Sequence, residues 1–168
     1  VILAETSALQ KPFVSQITSH AMAQDAISHE QFLCDMLNEK APIAKLMGMR
    51  LRFELDAAIV ELPYNADLDQ AHKGTHGGVY GVLADTAGWF CSARSRPHGT
   101  WPLTAELHTH YFRAAAKSAL KATATIVHAS KRQDVVRIDI TDEKGRQCGH
   151  VIGTFTVPDG GAVQGSKL

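Results

Sequence analysis

Apolar positions first recur at helical spacing after Ser28. Phe32, Leu33, Met36 and Leu37 follow a Ser28-x-x-Gln31 start that reads as a capping box, which predicts a short helix ending near Pro42. Two alternating runs come next, MRLRFELD (49–56) and AIVELP (58–63). Each has strand length, and Asp56-Ala57 between them predicts a hairpin turn. Residues 64–75 form a loop rich in Asn, Asp and Gly, and from Val79 to Ala93 apolar residues cover nearly every face of a helix. That is the pattern of a helix buried on all sides. After the Pro97-His98-Gly99 break there are four further strand-like runs, at about 103–112, 119–128, 134–142 and 148–157, separated by RAAAK, ASKRQ and DEKGR. Short links predict an antiparallel meander, because parallel neighbours need a crossover of a dozen residues or more.

A helix this apolar cannot rest on a flat sheet with its far side in water, so the sheet is expected to curl around it. The fold class predicted is α+β, a curled antiparallel sheet wrapped around a long central helix. A stripe of small residues, Gly77, Gly81, Ala84 and Gly88, lets backbone approach that helix closely along one side. The chain divides into an N-terminal extension with a short helix (1–46), the domain itself (47–158) and a C-terminal tail (159–168).

Composition narrows the function. With 168 residues, 45% of them apolar, the chain suits one domain. Seventeen basic residues balance seventeen acidic ones, which leaves no basic footprint for nucleic acid. No apolar run approaches the roughly 20 residues that cross a bilayer, and the amino end lacks the layout of a secretion signal. A soluble intracellular protein is expected. Its last residues, Ser166-Lys167-Leu168, spell a peroxisomal import signal that has meaning only in a eukaryote; in a bacterium the expected place is the cytoplasm. Cys34, Cys91 and Cys148 lack metal-site spacing and are expected to be reduced.

The chemistry is expected at HKGTHGGVYGVLADTAGWF (72–90). A helix start leaves several backbone N–H groups without partners at the positive end of the dipole, and the glycines Gly77 and Gly78 clear the way for a ligand oxygen to reach them. The same two glycines also suit a tight turn. Asp85 sits among Val82, Leu83, Ala84 and Ala87, where burial is expected to raise its pKa toward that of a general base, unless it serves as a polar contact between subunits. It follows His76 by nine positions, a rise of roughly 13 Å along a helix. The glycine donors and the acid of one chain therefore cannot hold one small reacting group, and a two-fold dimer sharing each site is expected.

HGGVYGVLADTA, preceded by Gly74 and followed by TAELHTHYFRAA, closely resembles the hotdog-fold acyl-CoA thioesterases of the phenylacetate-degradation (PaaI-like) type, over about Met47 to Val157. The resemblance implies thioester hydrolysis, with acyl-CoA as substrate and no cofactor beyond the coenzyme A it carries. It implies that Gly77 donates its N–H to the thioester carbonyl, helped by the Gln70 side-chain amide where this branch usually has asparagine. It further implies that Asp85 of the partner chain acts as base or nucleophile and that Thr104 helps to place the attacking water. His76 is expected to organise the loop at the helix start, with a direct catalytic role as the lesser alternative, and Arg113, Lys131 and Arg132 stand where similar proteins often bind the coenzyme phosphates. Homodimers, commonly paired into tetramers, are implied as well. Where the family often has proline after the basic residue of this strand, the chain reads Arg113-Ala114-Ala115.

Other readings fit less well. His108 and His110 project from one strand face but lack a third ligand at convincing spacing, so no metal site is expected. Neither a Gly-x-Ser-x-Gly elbow nor a phosphate loop occurs. A hydratase or dehydratase on the same fold pairs a histidine with an acid, which this motif does not. A non-catalytic acyl-CoA sensor generally loses the acid and often carries a DNA-binding segment, whereas this chain keeps Asp85. Trp89, Phe90 and Trp101 suit an aryl or medium-chain acyl group, or simply the core.

Overall fold

The computed structural model describes residues 28–158; residues 1–27 and the Ser166-Lys167-Leu168 tripeptide lie outside them. Residues 28–35 are helical (α1) and wind on through a wider π-type turn at Met36–Lys40. Pro42 does not lead into a loop. It takes the first position of a second short helix, α2 (Pro42–Met47), where its missing N–H has no bond to lose, and Gly48 closes that helix at φ 78°. Leu33, Leu37, Ala44 and Met47 join the same core as the sheet, so this part of the extension packs on its own chain.

The hairpin of β1 (Arg50–Glu54) and β2 (Ala57–Leu62) turns at Leu55-Asp56, one residue earlier than the sequence suggests. A short 3-10 turn (Ala66–Leu68) leads to the long helix α3 (Gly77–Arg94), followed by β3 (Leu103–Tyr111), β4 (Leu120–Ala129), β5 (Gln133–Asp142) and β6 (Gln147–Thr156). All pairings are antiparallel in the order β1-β2-β4-β5-β6-β3. The meander therefore holds only for β4, β5 and β6. β3 pairs with β6 and not with β4, because the link at 112–119 is no tight turn: Ala115 is buried, its N–H donates to the Tyr80 hydroxyl at 3.0 Å, and its carbonyl accepts from Thr75 N at 2.9 Å. Bound across the start of α3, the link carries the chain from one edge of the sheet to its middle.

The sheet curls around α3, touching it with β2 to β6, as the expected fold class requires. Gly88 makes the closest approach, since a Cβ there would lie 2.5 Å from the Phe155 ring. At Gly81 a Cβ would meet nothing within 4 Å, and at Gly88 the neighbours are the Phe155 and Ile138 side chains, so the stripe admits side chains there and not the backbone expected. Nor is α3 enclosed on every side. Gly78 is exposed and Gly81, Val82, Asp85, Thr86 and Trp89 are half-buried, and together they form one face that the described residues leave open.

The two sheet edges differ. On β1, the Asn38 side chain accepts from Leu51 N at 2.7 Å and donates to Leu51 O at 3.0 Å, filling the place of a neighbouring strand. On β3 no such cover exists among the described residues, and most of the strand is exposed.

The far end of α3 is tied down by a buried acid. Asp134 is fully buried and accepts from Ser92 Oγ at 2.6 Å and Arg96 Nε at 2.9 Å, while a second Arg96 nitrogen pairs with its other oxygen. Removing one member of such a network strands the others without solvent. Asp134→Ala is expected to lower stability by about 3 kcal/mol, read as a fall in the urea midpoint at unchanged slope.

Candidate functional site

His76 caps α3 from an extended backbone (φ −60°, ψ 139°), and its Nδ1 accepts from Gly78 N at 3.0 Å. In the neutral ring this puts the proton on Nε2. The cap removes Gly78 as a ligand donor, contrary to the sequence expectation, because its N–H is already used. The Val79 N–H bonds to the His76 carbonyl at 2.9 Å. Gly77 keeps its N–H without a hydrogen-bond partner among the described residues. A Cβ at Gly78 would lie 3.1 Å from His76 Nδ1, so this second glycine makes room for the cap itself.

Gln70 lies in a loop folded back on the helix start. An Asp69–Thr75 bridge, Gln70 N to Gly74 O at 2.8 Å and His76 N to Leu68 O at 2.9 Å close that loop. The Gln70 Oε1 accepts from His72 N at 2.9 Å, and only an oxygen can do so, which leaves the Nε2 amide as the donor without a partner among the described residues. The structure thus gathers Gln70, His76 and Gly77 at one end of α3.

Asp85 lies two turns further on, half-buried rather than enclosed, at the centre of the open face. Thr104 Oγ1 donates to its Oδ1 at 2.7 Å. A β-bulge between Thr104 and Glu106 shifts the register where this contact forms. Beside the pair, Trp89 donates from Nε1 to Pro102 O at 2.7 Å and meets Trp101 edge-on at 4.8 Å, while Phe90 is buried behind them. Trp101 and Leu103 remain exposed.

The three cations are not brought together. The carbonyl of Arg113 accepts from Tyr80 near the start of α3. Lys131 and Arg132 occupy the β4–β5 turn at the opposite end, where Arg96 reaches Ser130 O. No single phosphate group can meet both places in one chain.

His108 pairs with Glu106, and His110 stands opposite His150, whose Nδ1 lies 2.8 Å from Asp139 Oδ1. Among the described residues no group of three or more His, Cys, Asp and Glu could hold a metal ion, and no helix is long and apolar enough to cross a membrane. All three cysteines are free thiols, and burial pushes Cys91 up to about 11.

Tyr111 was not singled out by sequence reasoning. Its hydroxyl donates to Gly77 O at 3.2 Å. Only its place eight residues beyond Leu103 on a strand flanking α3 hinted at this, and the pairing of β3 was needed to reveal it.

Residues 72–149 match the family model described as the thioesterase superfamily. The chain is 25% identical over 111 residues to the proofreading thioesterase EntH of Klebsiella pneumoniae, covering 66% of this chain and 81% of that protein. Among solved structures it is similar to the Escherichia coli PaaI protein of the phenylacetic acid degradation operon, at 22% identity and TM-score 0.70 over 83% of this chain and 97% of that one. It is also similar to a mutant of the Thermus thermophilus phenylacetic acid degradation protein PaaI, at 25% identity and TM-score 0.62 over 69% and 98%.

Because His76 Nδ1 caps the helix, His76→Ala is expected to cost about 1 kcal/mol of stability and to raise hydrogen exchange at the first turn of α3, with the far turn unaffected.

Proposed function

We propose that this hotdog-fold chain is a thioesterase of the superfamily it resembles, and that it hydrolyses an aryl- or medium-chain acyl-CoA to the free acid and coenzyme A at a site shared by two chains. The observation that carries this reading is Asp85, held by Thr104 on a face of α3 that the described residues of its own chain leave uncovered.

Two features favour a second copy over that face. The open β3 edge offers unpaired backbone groups, whereas Asn38 occupies the β1 edge. Antiparallel pairing of two β3 strands about a two-fold axis sets the Thr104 end of one strand beside the Tyr111 end of the other. Thr104 carries Asp85 with it and Tyr111 adjoins Gly77, so each acid approaches the partner's donors.

In the reaction the thioester oxygen rests against Gly77 N–H and the Gln70 amide. Asp85 of the other chain takes a proton from water as the water oxygen bonds to the carbonyl carbon. The negative charge passes to the carbonyl oxygen, where preorganised donors act most strongly. Collapse breaks the C–S bond, and the leaving thiolate takes the proton from Asp85. Thr104, whose proton is committed to Oδ1, fixes the carboxylate and offers its oxygen to the water; this arrangement favours a base over a nucleophile. Trp89, one helical turn on from Asp85, supplies with Trp101 and Leu103 an apolar surface, which suits an aryl or medium acyl group. The chemistry draws on no cofactor beyond the substrate's own coenzyme A. Arg113, whose carbonyl lies near the start of α3, is assigned to its phosphates at the donor end, and Lys131 and Arg132 to the same phosphates from the other chain.

Thiol release from a panel of aryl and fatty acyl-CoA esters tests this. The parent is expected to prefer aryl or medium-chain esters, and Asp85→Asn to keep its fold and oligomeric state while losing about a hundredfold or more in kcat. An Asp85→Asn protein as fast as the parent overturns the assignment.

Shared sites have a separate signature. Asp85→Asn and Gln70→Ala chains, each nearly inactive, are expected to regain about a quarter of parental activity when refolded together, since half the dimers are mixed and each holds one intact site. No regain means that the site lies within one chain.

A further inference from the structure

Tyr111 closes β3 and stands against the start of α3. Its hydroxyl donates to Gly77 O at 3.2 Å, and a Cβ built on Gly77 would meet its ring and hydroxyl at 3.6 to 3.8 Å. On the other side the ring meets Tyr80 edge-on, with centroids 5.7 Å apart. Tyr80 is itself immobilised, accepting from Ala115 N and donating to Arg113 O. Although pinned in this way, Tyr111 is still 57% exposed. A core aromatic would be covered and a solvated one would be loose, and Tyr111 is neither.

We propose that Tyr111 is a positioning and specificity-determining residue of the thioester site, with its hydroxyl aiming the Gly77 amide and its open ring face forming the wall along which the acyl thioester arrives. This rests on the hydrolase reading above and adds a residue to it.

The hydroxyl acts through one peptide unit. The carbonyl of Gly77 and the N–H of Gly78 belong to the same plane; Tyr111 holds the first and His76 Nδ1 accepts from the second. A plane held at both ends cannot tilt, so the peptide before it, which carries the Gly77 N–H, keeps its direction. Donation to the carbonyl also polarises the Gly78 N–H and strengthens its bond to His76. Glycine at position 77 makes this control necessary, because without a Cβ the backbone there is otherwise the least constrained in the turn.

The ring acts differently. It lies directly against Gly77, so a group bound to that N–H must pass along its face. An aromatic face offers apolar contact and little entropy loss, since the ring is already fixed. The carbon atoms flanking the thioester carbonyl are the part of the substrate that meets it.

Two substitutions separate these roles. Tyr111→Phe keeps the ring and removes the hydroxyl; kcat is expected to fall about three- to tenfold, the size of one neutral hydrogen bond, with KM within about twofold of the parent and the melting temperature unchanged. Tyr111→Ala removes both, and KM is expected to rise about fivefold or more in addition. A purely structural residue would not give this split, nor would phenylalanine restore KM alone. A parental kcat in Tyr111→Phe, or a parental KM in a folded Tyr111→Ala, overturns the proposal. Should Tyr111→Ala fail to fold, Tyr111→Leu, apolar but not planar, takes its place with the same expected rise in KM, and a parental KM there is equally fatal. An inactive Asp85→Asn beside fully parental Tyr111 variants would sink this inference and leave the hydrolase reading standing.

Discussion

Covering α3 is the constraint on which the rest of the structure depends. Its 18 residues are apolar on nearly every side, and the sheet of one chain reaches only part of that circumference. Ala84, Ala87 and Gly88 face the sheet and are buried, whereas Gly81, Val82, Asp85 and Trp89 are not. Leaving such a stripe in water loses the hydrophobic gain of burying it. The stripe also holds the one acid of the helix, so whatever covers it decides the environment of Asp85. Thr104 joins this face to the open edge of β3, and the two unmet requirements of the fold therefore lie side by side.

At the other end of the helix, two adjacent glycines divide the work of one turn. Gly78 gives its N–H to the His76 ring and accepts the close approach of that ring because it has no Cβ. Gly77 leaves its N–H open and takes a hydrogen bond on its carbonyl from Tyr111. One glycine thus serves the helix, and the other keeps its N–H for the ligand of the proposed function. A capping serine would have done the first task alone; an imidazole does it while leaving a second ring nitrogen turned outward.

Similarity to thioesterases of this fold extends over the sheet and α3, and a fold of this kind carries chemistry only through the residues placed on it. The residues proposed for that role come from five separate places: the loop before α3, its first turn, its middle, and the two ends of β3. The missing proline after Arg113 changes little, because Ala115 is held by Tyr80 and Thr75 through its backbone. The N-terminal helices add Asn38, which occupies one sheet edge and leaves pairing to the other.

By itself the sequence determined each strand to within two residues at its ends, the long apolar helix, its start at His76-Gly77-Gly78 and the lone acid within it. Those are local properties, carried by periodicity, by glycine and by the cost of an acid among apolar neighbours. It did not determine that β3 crosses to pair with β6, because a link of eight residues is compatible with either neighbour and only the packing of Ala115 against Tyr80 selects one. Nor did it separate Gly77 from Gly78, since two identical residues become different only when an imidazole claims one of them. The pinning of Tyr111, the Thr104–Asp85 contact and the half-buried state of Asp85 likewise belong to the tertiary structure. Each depends on residues 19 or more positions apart in sequence meeting across a curled sheet, and no local pattern records which side of a helix that sheet will leave bare.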